Sequence, residues 1–258
     1  MMVTQTRWRG VDDERKNRAG WNTSSDDYQR QHGAQLADNP MGWGTWSIPE
    51  SELGILGDVD GRDVLELGCG AARWSLGLAS IGARPVGRDL SEQQLGHARG
   101  VMDEEDRSIP LVQASAWNLP FAEACFDIVF CDHGAMTFVD PYDAVPEVAR
   151  VLRTDGVFAF NMSSPLRDLC LDLERDELTS CLQADYFAMR RQSWDDEVNF
   201  QLPYGNWVRL FRESNFVLED LVELRPRKSA TTSYVEFAQL EWARRWPAEN
   251  VWKLRKSR

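Results

Sequence analysis

The chain has 258 residues, 43% of them hydrophobic, and 41 acidic against 29 basic side chains give it a formal charge of −12. That length supplies a substantial core for one α/β domain with additions and would cramp two, while the negative field disfavours nucleic acid and other polyanions as partners. No run approaches 18 uninterrupted apolar residues, the opening residues through Arg9 hold no apolar signal core, and the five cysteines lack zinc-type CxxC spacing, so a cytoplasmic protein with reduced thiols, no membrane partner and no metal site is expected.

Residues 1–20 are charged and poor in aliphatics and read as a flexible arm. Residues 21–58 read as a helical cap. Asp27 to Ala37 has a helical pattern that sets Tyr28 and His32 one turn apart, either bordering a substrate pocket or forming an ordinary helix face. The Gly-containing loop that follows carries two large aromatics, Trp43 and Trp46, as further pocket candidates.

From residue 59 onward, strand and helix signals alternate. Asp63-Val64-Leu65-Glu66-Leu67 is an apolar strand running into Gly68-Cys69-Gly70, where the missing Cβ atoms allow positive φ and let turn N–H groups approach a ligand at the next helix. A dinucleotide fingerprint needs a small residue three positions past the second glycine, and Arg73 stands there. Glu66 would repel a pyrophosphate and suit a cation, so the expected ligand is positively charged and carries no phosphate. Arg84 to Ser91 is a short strand ending in Asp89-Leu90, 19 residues past Gly70 for the acid, with a helix from Glu92 to about Met102 behind it. Parallel-sheet geometry puts Asp89 at the carboxyl end of the neighbouring strand, where ligands bind and where it can accept both hydroxyls of a ribose; Ser91 is the better helix cap. Cys125 to Gly134 is a buried strand that delivers Asp132 and His133 to the same edge, and Val148 to Asn161 reads as helix, turn and strand.

The stretch at about 165–203 reads as an insertion, a helix over Asp172 to Leu182 followed by a hairpin around Ser193-Trp194-Asp195-Asp196, serving either as a lid or as a homodimer contact. A helix near Trp207 to Ser214, a sixth strand over Asn215 to Leu224 and a last strand at Val251-Trp252-Lys253-Leu254 complete the chain.

Glu66-x-Gly68-x-Gly70 resembles the first motif of class I S-adenosylmethionine-dependent methyltransferases of the small-molecule type. Phe126-Asp127-Ile128-Val129-Phe130 fits the family's fourth strand. Ala72 stands where a third glycine is common, Thr154-Asp155-Gly156 where Pro-Gly-Gly is frequent, and Ser115-Ala116 where an acid-Ala pair holds adenine in many members. The resemblance implies a seven-stranded, mostly parallel Rossmann-like sheet with helices on both faces and an antiparallel last strand, making 59–258 a methyltransferase domain. It implies S-adenosylmethionine as cofactor, S-adenosylhomocysteine as product, and Asp89 as the ribose acid. Further cofactor contacts are expected from Glu66, Gly68, Cys69, Gly70, Leu90, Ser115, Ala116, Trp117 and Asp132, with Trp117 either stacking on adenine or lying in the core. The activity implied is in-line methyl transfer to an O, N or C atom of a small organic acceptor, and the 11 tryptophans suit an aromatic one. His133 is the candidate base, oriented by the adjacent Asp132, whereas His97 reads as structural. Two other readings are a nicotinamide-dependent reductase on a related sheet, opposed by Arg73 and Glu66, and a cofactor-binding partner protein without turnover, favoured by Ala72 and Ser115.

Overall fold

Strands buried on both faces read as continuous apolar runs rather than as alternation, and such runs form the centre of this molecule. The computed structural model describes residues 3–175 and 177–257. Its long first helix is α1 (Val3–Asp38), followed by β1 (Asp63–Leu67), α2 (Arg73–Ser80), β2 (Arg84–Asp89), α3 (Glu92–Glu105), β3 (Leu111–Gln113) and β4 (Phe126–Asp132). Then come α4 (Pro141–Val151), β5 (Leu152–Ser163), α5 (Tyr204–Glu213), β6 (Phe216–Glu223) and β7 (Glu249–Lys256). These strands make a seven-stranded sheet in the order β3-β2-β1-β4-β5-β7-β6. Pairing is parallel from β3 through β5, and β7 runs antiparallel to both its neighbours.

Side chains alternate between two cores. Leu65, Leu67, Val129, Phe158 and Phe160 face Val145 and Val148 of α4 and Trp207 and Phe211 of α5. Val64, Ile128, Phe130 and Ala159 face Trp74 and Leu78 of α2 together with Trp43. The parallel strands therefore end on one shared edge, and the antiparallel β7 begins there.

Two expectations need correction. Residues 3–20 are not an arm, because α1 runs unbroken through residue 20 and across the expected start of the cap; residues 1 and 2 lie outside the described residues. The scarcity of aliphatics has another meaning here. Asp13, Asn17 and Ser25 are the buried residues of the described part of α1, and none of its apolar side chains is buried. Asn17 donates to the carbonyls of Phe138 and Val198 and accepts the Val198 N–H, while Asp13 pairs with Arg191. The second correction concerns Asp172 to Leu182, whose described residues form no α-helix. Leu171–Asp172 pairs with Glu177–Leu178, and Asp172 Oδ1 accepts the N–H groups of Glu174 and Arg175, a local turn that competes with helical bonding. The expected hairpin is present in shorter form, Arg191–Ser193 against Val198–Phe200.

Candidate active site

At the end of β1 the chain turns through Gly68 (φ +77°) and Gly70 (φ +52°), and Ala72 keeps the same left-handed conformation at φ +57°. A Cβ on Gly68 would lie 2.5 Å from the Ala135 nitrogen, so this glycine is required by a neighbouring backbone, whereas one on Gly70 would meet nothing nearer than Gln94 Oε1 at 3.6 Å. The turn's N–H groups do not point at a ligand as expected. Gly68 and Cys69 donate to the Arg88 carbonyl, and Gly70 donates to Asp89 Oδ2. The glycine turn thus contributes space, and its donors tie β1 to β2.

Of the carboxylates that line the cavity here, Glu66, Asp89 and Asp132 stand at the ends of the parallel strands beside this turn. Asp89 closes β2 and accepts from Gly70 and Ser91; burial pushes it upward, with those N–H bonds partly opposing. Glu66 accepts the N–H and hydroxyl of Ser75 through Oε2, yet burial pushes its carboxyl up to about 8, and the charges of Asp132 and Asp89 add to the shift. Asp132 is likewise raised, by burial first. Mutually repelling buried carboxylates are the donor set a cationic ligand satisfies and a phosphate does not. The cavity continues past Leu90, Ser115, Ala116 and Trp117 to α1. Trp117 is half-buried there and donates its indole N–H to Glu14 at 2.5 Å.

His133 follows β4 at φ +47°, a conformation uncommon for a side-chain-bearing residue and enriched at functional sites. Its Nε2 lies 2.5 Å from Glu249 Oε1, at the start of β7, so the orienting acid is Glu249 and not the expected Asp132. Glu249 also accepts from the N–H and hydroxyl of Thr45, and Asp132 is occupied by Asn161 and the Gly44 N–H. Burial works against charge on both partners, but their mutual bond holds Glu249 below the usual carboxylate range and His133 above the usual imidazole one.

The Methyltransferase domain family matches residues 65–160, which span β1 to β5 and the turn, Asp89 and His133. A demethylmenaquinone methyltransferase of Listeria monocytogenes is 34% identical over 176 residues, covering 60% of this chain and 70% of that protein. The chain belongs to the class I S-adenosylmethionine-dependent methyltransferases. A second demethylmenaquinone methyltransferase, from Lactococcus lactis, is 33% identical over 39% of this chain and 42% of its own length, and this chain spans less than two thirds of several curated relatives. An S-adenosylmethionine dependent methyltransferase from Mesorhizobium loti shares the fold, with a TM-score of 0.65 at 21% identity over 80% of this chain and 95% of that one. S-adenosylmethionine is therefore the cofactor, and the carboxylates lining the cavity suit its positively charged sulfur.

The structure brings all the expected cofactor residues of the methyltransferase, together with Tyr28 and His133, to one cavity, and leaves three expected pocket residues outside it. Trp43 is fully buried in the core against Trp74 and Phe130, its N–H donated to Glu50 at 2.6 Å. Trp46 packs with Cys170, Trp242 and Ala243. His32 stacks on Tyr234 behind the wall, at 3.8 Å between ring centres, with Nδ1 against the Ser233 hydroxyl. Tyr28 meets Tyr234 hydroxyl to hydroxyl at 2.8 Å, and burial pushes its phenol up to about 12. His97 pairs with Asp26 on the surface, away from the cavity. Glu14, Arg88, Tyr234, Phe237 and Glu249 were not anticipated as site residues. For Glu249 a signal existed: an antiparallel last strand must start where the parallel ones end.

Proposed function

We propose that this methyltransferase acts on a small aromatic acceptor bearing a ring hydroxyl, with His133 as the base and Glu249 as the residue that positions it. The observation that carries the reading is the His133–Glu249 hydrogen bond at the rim of the cavity that also contains the glycine turn and Asp89. An ionised carboxylate only accepts, so the proton of the pair sits on His133 Nε2, and Nδ1 is the nitrogen that takes a proton from the acceptor. Removing a ring-hydroxyl proton enriches that oxygen and the ortho carbons in electrons, so one base starts O- and C-methylation alike; after C-methylation the hydrogen on the attacked carbon leaves as a proton and the hydroxyl is restored. When bound, S-adenosylmethionine supplies a methyl group already activated by a positive sulfur. The chain's own task is alignment, which supplies on the order of 7–11 kcal/mol in ideal cases. Proton removal by a positioned base adds roughly 10²- to 10⁴-fold.

Trp21, Tyr28, Phe138, Phe200, Tyr234 and Phe237 wall the same cavity, which supports an aromatic acceptor and a site that excludes water. The two tyrosine phenols stay protonated near neutral pH and do not compete with His133 for the base role. The acidic surroundings disfavour a phosphorylated acceptor, and the relatives named for demethylmenaquinone favour a quinol-like ring.

The test is a panel of phenols, catechols and quinols incubated with methyl-labelled cofactor, and then repeated with His133→Ala. The expected result is labelled product from hydroxylated rings, with the variant slower by about 100-fold and its S-adenosylhomocysteine affinity within about threefold of the parent. Full turnover by His133→Ala, or label entering amines alone, would overturn the reading.

A further inference from the structure

Arg88 has 2% of its surface exposed, stands at the next-to-last position of β2 and lines the cofactor cavity. Its side chain makes no hydrogen bond or ion pair among the described residues, and its Nε is buried without a partner. A guanidinium taken out of water in that condition is costly unless a ligand supplies an acceptor. The carboxylates whose fields reach it are Asp89 and Glu14.

Glu14 approaches the same cavity from α1. One of its oxygens holds the Trp117 indole N–H, which fixes the carboxylate beside the Ser115-Ala116-Trp117 segment. Ser115 itself has only a short, uncharged hydroxyl, set 3.4 Å from the Trp117 N–H. The cavity wall at this end therefore offers a donor with an unmet need, Arg88, and a charged acceptor, Glu14. A purine edge that sets a ring nitrogen acceptor next to an amino donor is the complement of that pair.

We propose that Arg88 and Glu14 read the adenine ring of the cofactor, Arg88 donating to the ring nitrogen and Glu14 accepting from the exocyclic amine, so that part of nucleobase recognition resides on α1. This rests on the cofactor assignment above. Arg88 acquires the acceptor it lacks, and Glu14 takes over the task for which Ser115 has no charge.

The test uses two ligands, S-adenosylhomocysteine and its 6-oxo analogue S-inosylhomocysteine, titrated calorimetrically into the full chain. The analogue reverses the edge, with a ring N–H where adenine accepts and a carbonyl oxygen where adenine donates. The parent should prefer the adenine ligand by about 100-fold or more, because each mismatch leaves a buried polar group unpaired. Glu14→Gln, whose amide can donate to the 6-oxo group, should shrink that preference at least about tenfold, and Arg88→Met should weaken S-adenosylhomocysteine by about tenfold. If Glu14 merely pins α1 through Trp117, Glu14→Gln would weaken both ligands equally, and that result, or an unchanged preference, would overturn the proposal. Glu14 is only half-buried, so its variant carries the test even if Arg88→Met does not fold. Failure of the parent to bind S-adenosylhomocysteine at all would overturn the cofactor assignment instead.

Discussion

Replacing Glu66 by Gln keeps the shape of the side chain and its acceptor toward Ser75 but removes the charge. In the folded protein burial raises the Glu66 carboxyl from 4.5 to about 8. A group raised in the folded state contributes its full stability below the unfolded value, and that contribution is lost as pH climbs through the folded one. Each pH unit across this window costs the parent about 1.4 kcal/mol, so the ceiling by pH 8 is about 5 kcal/mol. Local relaxation and water entry reduce this, and about half is the expected yield. The Gln variant escapes the cost. Melting curves should therefore nearly coincide at pH 5 and separate by about 5–10 °C at pH 8.5, with the variant higher, given about 2–4 °C per kcal/mol for a chain near this size. Binding of the cationic cofactor should do the opposite, drawing the proton off Glu66, so the parent's affinity rises between pH 6 and 8 while that of the variant stays level. A melting difference that does not change with pH would refute the claim that Glu66 is held protonated by its surroundings.

Glu249→Gln removes the main lift on the His133 imidazole and leaves burial, which lowers it, opposed only by the smaller effect of the Asp132 charge. The parent's kcat/KM should rise with pH to a plateau with its midpoint above 6.5, and the variant's midpoint should fall; pH–rate profiles read this directly. Gly68→Ala and Gly70→Ala both place a methyl in the left-handed region, for about 1–2 kcal/mol each, but only Gly68 also drives it into the Ala135 backbone, so urea denaturation should separate the two by at least about 2 kcal/mol. Trp43→Ala should cost about 3–5 kcal/mol of stability in the same assay while leaving S-adenosylhomocysteine affinity nearly unchanged, the mark of a core residue rather than a pocket one.

What was legible along the chain was whatever obeys local period and spacing. Ile128-Val129-Phe130 and Val157-Phe158-Ala159-Phe160 are buried on both faces and read as strands without help, and the distance from Gly70 to Asp89 follows from one crossover of standard length. Ala72 holds the backbone conformation expected of a glycine, so the motif survives its substitution. The hidden parts depend on partners remote in sequence. His133 and Glu249 lie 116 positions apart, and only the reversed direction of β7 brings them together. Trp43 sat in a loop that looked like a pocket rim, but Glu50 satisfies its N–H and lets the ring sink into the core. Helix α1 was legible only from Asp27 to Ala37; its earlier turns show no apolar stripe among the described residues, where the buried side chains are Asp13, Asn17 and Ser25.

That polar underside bears on how firmly α1 is seated over the cavity. Lifting an oily helix face exposes it to water at about 25 cal/mol per Å². Peeling away contacts such as Gln29 to Gln94, Asn22 to Ser91 and Arg18 to Glu92 trades one set of hydrogen-bonding partners for solvent, a nearly even exchange. Part of the seat of α1 over the cavity is thus made of interactions that water can stand in for, and added salt, by screening pairs such as Arg18 to Glu92, should loosen it.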